Sequence, residues 1–263
     1  IVLLWFVVLG LLGIKMIIAH PQVLASLSPL EGVSFLVREW RHSLPLLAAV
    51  FLAVTGGEAL YADLGHFGKR PIRVGWFSVV LPGLALNYLG QAALVIENPE
   101  NIRSPFFLMA PEILLFPLTL LATAAAIIAS QALISGAFSL TTQAVQLGVL
   151  PRFRILHTSD EEVGQVYVPA INWFLAIACI ILVMEFGSSA ALAGAYGIAI
   201  ALTMTITSLL FFSASRAVWG WSFGKAAIVT LLFLSIDGAF LLANASKIVH
   251  GGWLPLVIAS SLM

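Results

Sequence analysis

The sequence predicts an all-α polytopic membrane protein, and three observations carry that prediction. Of its 263 residues 61% are hydrophobic and only 9% are charged, whereas soluble domains carry about 25% charged residues. Mean hydropathy is +1.07. The apolar residues gather into eight segments, roughly 1–19, 44–67, 72–96, 111–140, 169–186, 190–213, 225–243 and 252–263. Most have the length a membrane helix needs, about 20 residues, and the last is cut short.

The same composition excludes several functions. Twelve basic residues balance twelve acidic ones, so nothing points to a nucleic-acid partner. The one cysteine, Cys179, lies in an apolar run and reads as a packing residue. The five histidines, at 20, 42, 66, 157 and 250, never pair at helical spacing and no His-Glu-x-x-His occurs, so a zinc enzyme is unsupported. No enzyme activity and no cofactor are expected. The chain begins at Ile1 inside one apolar run and stops at Met263 inside another. It is therefore read as a fragment, and without a charged stretch before the first run there is no reason to expect a cleavable signal peptide.

The elements follow in order. After the first span, residues 21–41 set Leu24, Leu27, Leu30, Phe35 and Leu36 among charges, the pattern of a short helix in the membrane interface. The second span, 44–67, is broken by its own middle. Gly56 and Gly57 sit near its centre, each weakening a helix by about 1 kcal/mol relative to alanine. Unwinding there exposes backbone carbonyls, which is tolerated in a membrane only where they line a cavity or are otherwise satisfied. Thr55 adds a hydroxyl and Glu58 a carboxylate, giving the hard oxygens that replace the water shell of an alkali cation. An ionised Glu58 would cost roughly 2.5 to 3.5 kcal/mol at the centre of a span, so it needs a partner, a bound ion or a proton. The competing reading is that the glycines permit close packing and Glu58 is a protonated, hydrogen-bonded carboxyl. Asp63, nearer the polar exit, is a candidate for proton coupling or simply a partner of Lys69 and Arg70.

The third span places Asn87, Tyr88 and Gln91 deep in the membrane, with Asn87 and Gln91 one turn apart on one face. They either knit helices together or line a path, and Tyr61 of the broken span is a further lining candidate. The fourth span repeats Gln131, Ser135 and Ser139 every four residues, a face expected to meet another helix. Residues 147–168, with mixed charges, read as a solvated connection. In the sixth span Gly194 to Gly197 allow close approach, and Tyr196 can turn its hydroxyl to an ion or to a helix. Asp237, near the centre of the seventh, is a costly buried acid expected to be paired. Alternate loops hold seven lysines and arginines (Lys69, Arg70, Arg73, Arg152, Arg154, Arg216, Lys225) against five (Lys15, Arg38, Arg41, Arg103, Lys247). The richer set is assigned to the cytoplasm, with residue 1 inside.

The run from Thr55 through Gly56, Gly57, Glu58, Tyr61, Asp63 and Gly68 to Arg73 resembles the signature of the KUP/HAK/KT potassium uptake transporters, the bacterial type above all. Further runs match in order: Leu86 to Gln91, Ile128 to Gly136, Phe138 to Thr141, His157 to Ser159, Ile171 to Trp173, Ala195 to Gly197 and Gly251 to Pro255. The resemblance implies a twelve-helix secondary transporter of leucine-transporter-like architecture (the amino acid, polyamine and organocation superfamily). It has two inverted five-helix repeats and two extra helices, and takes up potassium with protons by alternating access. The eight segments would be the fifth to twelfth helices, with the second inverted repeat over about 44–213, one helix before it and two after.

The family's first helix, with its Gly-Asp-Ile-Gly-Thr-Ser motif, its third helix with further ligands, and its cytoplasmic tail are missing, so the fragment alone is not expected to transport. On this resemblance Thr55 and Glu58 match family positions linked with cation binding; the residues themselves add the Gly56 and Gly57 carbonyls and Tyr196 as expected potassium contacts, and Glu58 and Asp63 as the candidates for proton coupling. Potassium ion, proton and the lipid bilayer are the expected partners, the bacterial plasma membrane the location, and a homodimer the candidate assembly. An amino-acid permease of the same fold and a non-transporting membrane scaffold or sensor remain the alternatives.

Overall fold

A computed structural model describes residues 1–53, 55, 68–157, 166–245, 248 and 252–261. Among these, six helices are long and apolar enough to cross a membrane. They are α1 (Val2–Ala19), α4 (Lys69–Glu97), α5 (Leu115–Gln146), α6 (Pro169–Phe186), α7 (Ser189–Ala217) and α8 (Phe223–Ala245). Three shorter helices accompany them: α2 (Pro29–Arg38), α3 (Trp40–Ala53) and α9 (Trp253–Ser261). Two of the eight expected spans are thus not among the six. One runs into residues 56–67, outside the described residues, and the other is the nine-residue α9.

α6 is the most exposed of the six. None of its residues is buried, and Trp173, Ile177, Ile180 and Met184 are all exposed. α2 carries Glu31 in its first turn and Arg38 in its last, while Leu30, Val33 and Val37 stand exposed between them. The charges complement the helix dipole, and the one-sided apolar face fits the expected interfacial helix. The connection 147–168, expected to be a solvated loop, contains a two-residue antiparallel ribbon, β1 (Leu156–His157) with β2 (Val166–Tyr167). Its Tyr167 ring meets Phe138 of α5 edge-on at 5.5 Å. The acidic run Asp160 to Glu162 lies outside the described residues.

The chain divides into two compact units, residues 1–32 with 56–174, and residues 33–55 with 175–263. In the first, α1 crosses α4 at backbone contact. A Cβ on Gly13 would stand 2.1 Å from the Leu86 carbonyl oxygen, and one on Gly90 would stand 2.5 Å from the Gly13 Cα, so only glycine fits at either position. Beside the crossing, Met16, Val23, Ala93, Leu94 and Met109 form the buried core. Lys15, counted by sequence among the loop cations, belongs to α1 and its ammonium donates to the Met109 carbonyl at 3.2 Å. The polar face of α5 departs from expectation, because Gln131 and Ser135 are exposed and the buried side carries Gly136, Phe138 and Thr141. Its hydroxyls find their acceptors one turn back on the same helix instead, as Thr119 does on Leu115 and Thr141 on Ala137.

Candidate ion-binding site

In the second unit α3 is fixed before it stops. Ala48 and Phe51 are fully buried, and the Phe51 ring lies 4.7 Å from Phe240 of α8. Among the described residues α3 runs to Ala53, and Thr55 is not helical. The last carbonyls of any helix have no partner within it, and the negative end of its dipole points the same way. Thr55 turns back onto them, its hydroxyl donating to the Leu52 carbonyl at 2.9 Å. The Tyr196 hydroxyl of α7 in turn donates to the Thr55 oxygen at 3.2 Å. A hydroxyl oxygen has two lone pairs. Among the described residues Thr55 uses one for Tyr196 and retains one, while the Tyr196 oxygen, acting as donor, keeps both. Among those residues, two oxygens with lone pairs left for a cation therefore stand side by side just past α3.

Of the sequence-predicted residues, Thr55 and Tyr196 are brought together across 141 positions of chain. Gly56, Gly57, Glu58, Tyr61 and Asp63 lie outside the described residues. Asn87 and Gln91 belong to the first unit. Asn87 is buried, its amide donates to the Leu9 carbonyl at a long 3.5 Å, and it accepts the Gln91 amide at 2.6 Å. That is the geometry of knitting α4 to α1. Tyr196 also borders an apolar cavity of about 720 Å³, between α6, α7 and α9, where it is the one polar side chain among lining residues such as Leu182, Leu192 and Leu254.

Sequence reasoning missed the polar stripe of α8. Thr230, Asp237 and Asn244 recur every seven residues and all three are buried. Asp237 accepts a 2.5 Å hydrogen bond from Ser208 of α7, giving the buried acid the partner it was expected to have. Asn244 donates to the Phe240 carbonyl at 2.9 Å and occupies the space where a side chain on Gly197 would be, 2.4 Å from a Cβ there. The Thr230 hydroxyl has no hydrogen-bond partner among the described residues. The seven-residue spacing was the available signal.

Comparison with known proteins settles the family. A family model described as the K+ potassium transporter integral membrane domain matches residues 1–263. The chain belongs to this potassium transporter family. It is similar to the probable potassium transport system protein Kup 2 of Chromobacterium violaceum, 53% identical over 262 residues, 100% of this chain and 42% of that protein. It is likewise similar to the low affinity potassium transport system protein Kup of Pectobacterium atrosepticum, 55% identical over 258 residues, 98% of this chain and 42% of the relative. The chain thus spans about two fifths of the length of these potassium transporter relatives. No solved structure matches it. The expected family is therefore correct, and it is a transporter family rather than an enzyme family.

Proposed function

We propose that the chain is the second half of the membrane domain of a proton-coupled potassium importer, multi-pass in the bacterial inner membrane. It adopts the leucine-transporter-like fold, with eight spans and an inverted repeat over about 44–213. Potassium is held by Thr55, the carbonyls of Gly56 and Gly57, Glu58 and Tyr196, and Glu58 and Asp63 carry the coupled proton. Tyr61 lines the way, Asn87 and Gln91 serve to knit α4 to α1 rather than to line it, and two copies form a homodimer. Alternating access exposes the site to each side of the membrane in turn.

The observation that carries this reading is the Tyr196 to Thr55 hydrogen bond at the end of α3. It joins two positions picked from sequence as cation contacts, beside a helix terminus whose carbonyls and dipole favour a cation. A cation there keeps enough oxygen contacts to replace its hydration shell only if Glu58 and the glycine carbonyls complete the set. Glu58→Gln in the full-length protein keeps the size of the side chain and removes its charge and its proton exchange. The variant is expected to abolish rubidium uptake and potassium-dependent growth in cells lacking other importers. Normal uptake at normal expression would remove Glu58 from the mechanism.

A further inference from the structure

We propose that the hairpin joining α7 to α8 binds an anionic phospholipid, with Arg216 and Lys225 holding the phosphate. Both cations sit at the end of the helix pair, exposed, and neither makes an ion pair among the described residues. No acidic residue occurs between Glu185 and Asp237, and Asp237 is buried on Ser208. Aromatic rings hold the two cations instead. The Arg216 guanidinium lies 5.6 Å from the centre of the Phe223 ring and 6.0 Å from that of Phe212, while the Lys225 ammonium stands 4.2 Å over Trp221. A ring face attracts a cation without using up its N–H donors in hydrogen bonds. The fork of Arg216 and the ammonium of Lys225 are therefore positioned and still available to an anion.

The support is rigid. Gly220 takes a φ of +64° and the Trp221 amide donates to the Ser215 carbonyl at 3.1 Å, closing the turn. Trp219, Trp221 and Phe211 then pack as a three-ring cluster with centres 5.6 to 5.8 Å apart.

The chemistry selects a lipid rather than a soluble anion. Val218, Trp219 and Phe223 are 75%, 57% and 64% exposed around the two cations, an apolar skirt that an acyl chain would cover while its phosphate meets the charges. Tryptophan with arginine and lysine at a helix end is the composition of a membrane interface. On the loop-charge assignment this end faces the cytoplasmic leaflet, where anionic lipids attract basic segments. A planar guanidinium suits the oxygens of a phosphodiester, and the ammonium adds a second point charge.

The test uses the intact protein in dodecyl maltoside, reading its unfolding midpoint with added dioleoyl phosphatidylglycerol or dioleoyl phosphatidylcholine. Phosphatidylglycerol is expected to raise the midpoint by several degrees more than phosphatidylcholine. The excess should vanish in R216Q/K225Q and survive in R216K/K225R. Equal shifts from the two lipids, or an excess unchanged in R216Q/K225Q, would overturn the proposal. Should R216Q/K225Q fail to fold, wild-type protein decides, because the excess must shrink as salt rises and a salt-independent excess overturns it. Glycerol 3-phosphate reproducing the shift would make the ligand a free phosphate. New protease sensitivity of a soluble part of the protein in R216Q/K225Q, with the lipid preference intact, would make the cations a protein contact. Either result also defeats it.

Discussion

Two helix pairs in this chain meet the same difficulty by opposite means. In hydrocarbon there is no hydrophobic reward for leaving lipid, so helices associate through close packing and hydrogen bonds. The α1–α4 pair relies on shape, with Gly13 and Gly90 bringing the two backbones together and the long Asn87 contact to Leu9 as its crossing hydrogen bond. The α7–α8 pair relies on polarity, joining Ser208 to Asp237 and fitting Asn244 into the space over Gly197. Packing by shape has no tolerance for volume but none of its parts can ionise. Packing by polar groups tolerates a small adjustment, yet leaves an expensive acceptor whenever one partner is removed.

Three substitutions separate the two modes and a fourth probes the Thr55 contact beside them, and the largest effect belongs to shape. Gly90→Val drives a branched side chain into the Gly13 backbone, so a loss of at least about 3 kcal/mol is expected, at or beyond the upper end of ordinary overpacking. It would be seen as a lower unfolding midpoint and poor recovery of monodisperse protein. An unaltered midpoint would show that the crossing is looser than described. Next comes Ser208→Ala, which strands the buried Asp237 carboxyl without its donor. About 1–3 kcal/mol should be lost by the same measurement.

Gly197→Ala is expected to cost about 1–2 kcal/mol alone, because the added methyl meets only the end of a side chain. In an Asn244→Ala background the penalty should largely disappear, and a double-mutant cycle reads that difference directly. Additive effects would mean that the two residues do not share the space. The smallest effect on stability is expected for Tyr196→Phe, which removes one hydrogen bond worth about 0.5–1.5 kcal/mol and lowers the unfolding midpoint slightly. Because the phenol oxygen is also lost as a cation contact, the half-saturating rubidium concentration of the full-length protein should rise about 2- to 10-fold.

What was legible in the sequence follows from which physics acts locally. Long apolar runs marked the six spans within a few residues, because length and hydropathy are properties of one segment. Thr55 and Asp237 stood out because a polar group at membrane depth is costly wherever it is found. The partners Ser208 and Asn244 were not legible, since serine and asparagine acquire meaning only when a particular second helix faces them. The α5 stripe found no covering helix among the described residues for the same reason. Spacing put Gln131 and Ser135 on one face, but nothing in spacing says whether another helix covers it. The ribbon at Leu156 and Val166 escaped because two residues per strand are too few for any alternation to register.

The 32 residues of α5 make a rod of about 48 Å at 1.5 Å each, against about 30 Å of hydrocarbon. Even leaning by about 40°, the steepest inclination common in membranes, it would use only about 26 residues to get across. About six residues of α5 are then in excess of the hydrocarbon, and its polar residues Thr141, Thr142, Gln143 and Gln146 gather at the C-terminal end. Tyr167 grips this rod at Phe138, just before that polar end. A tug at that point would reach the far leaflet through a single continuous mast.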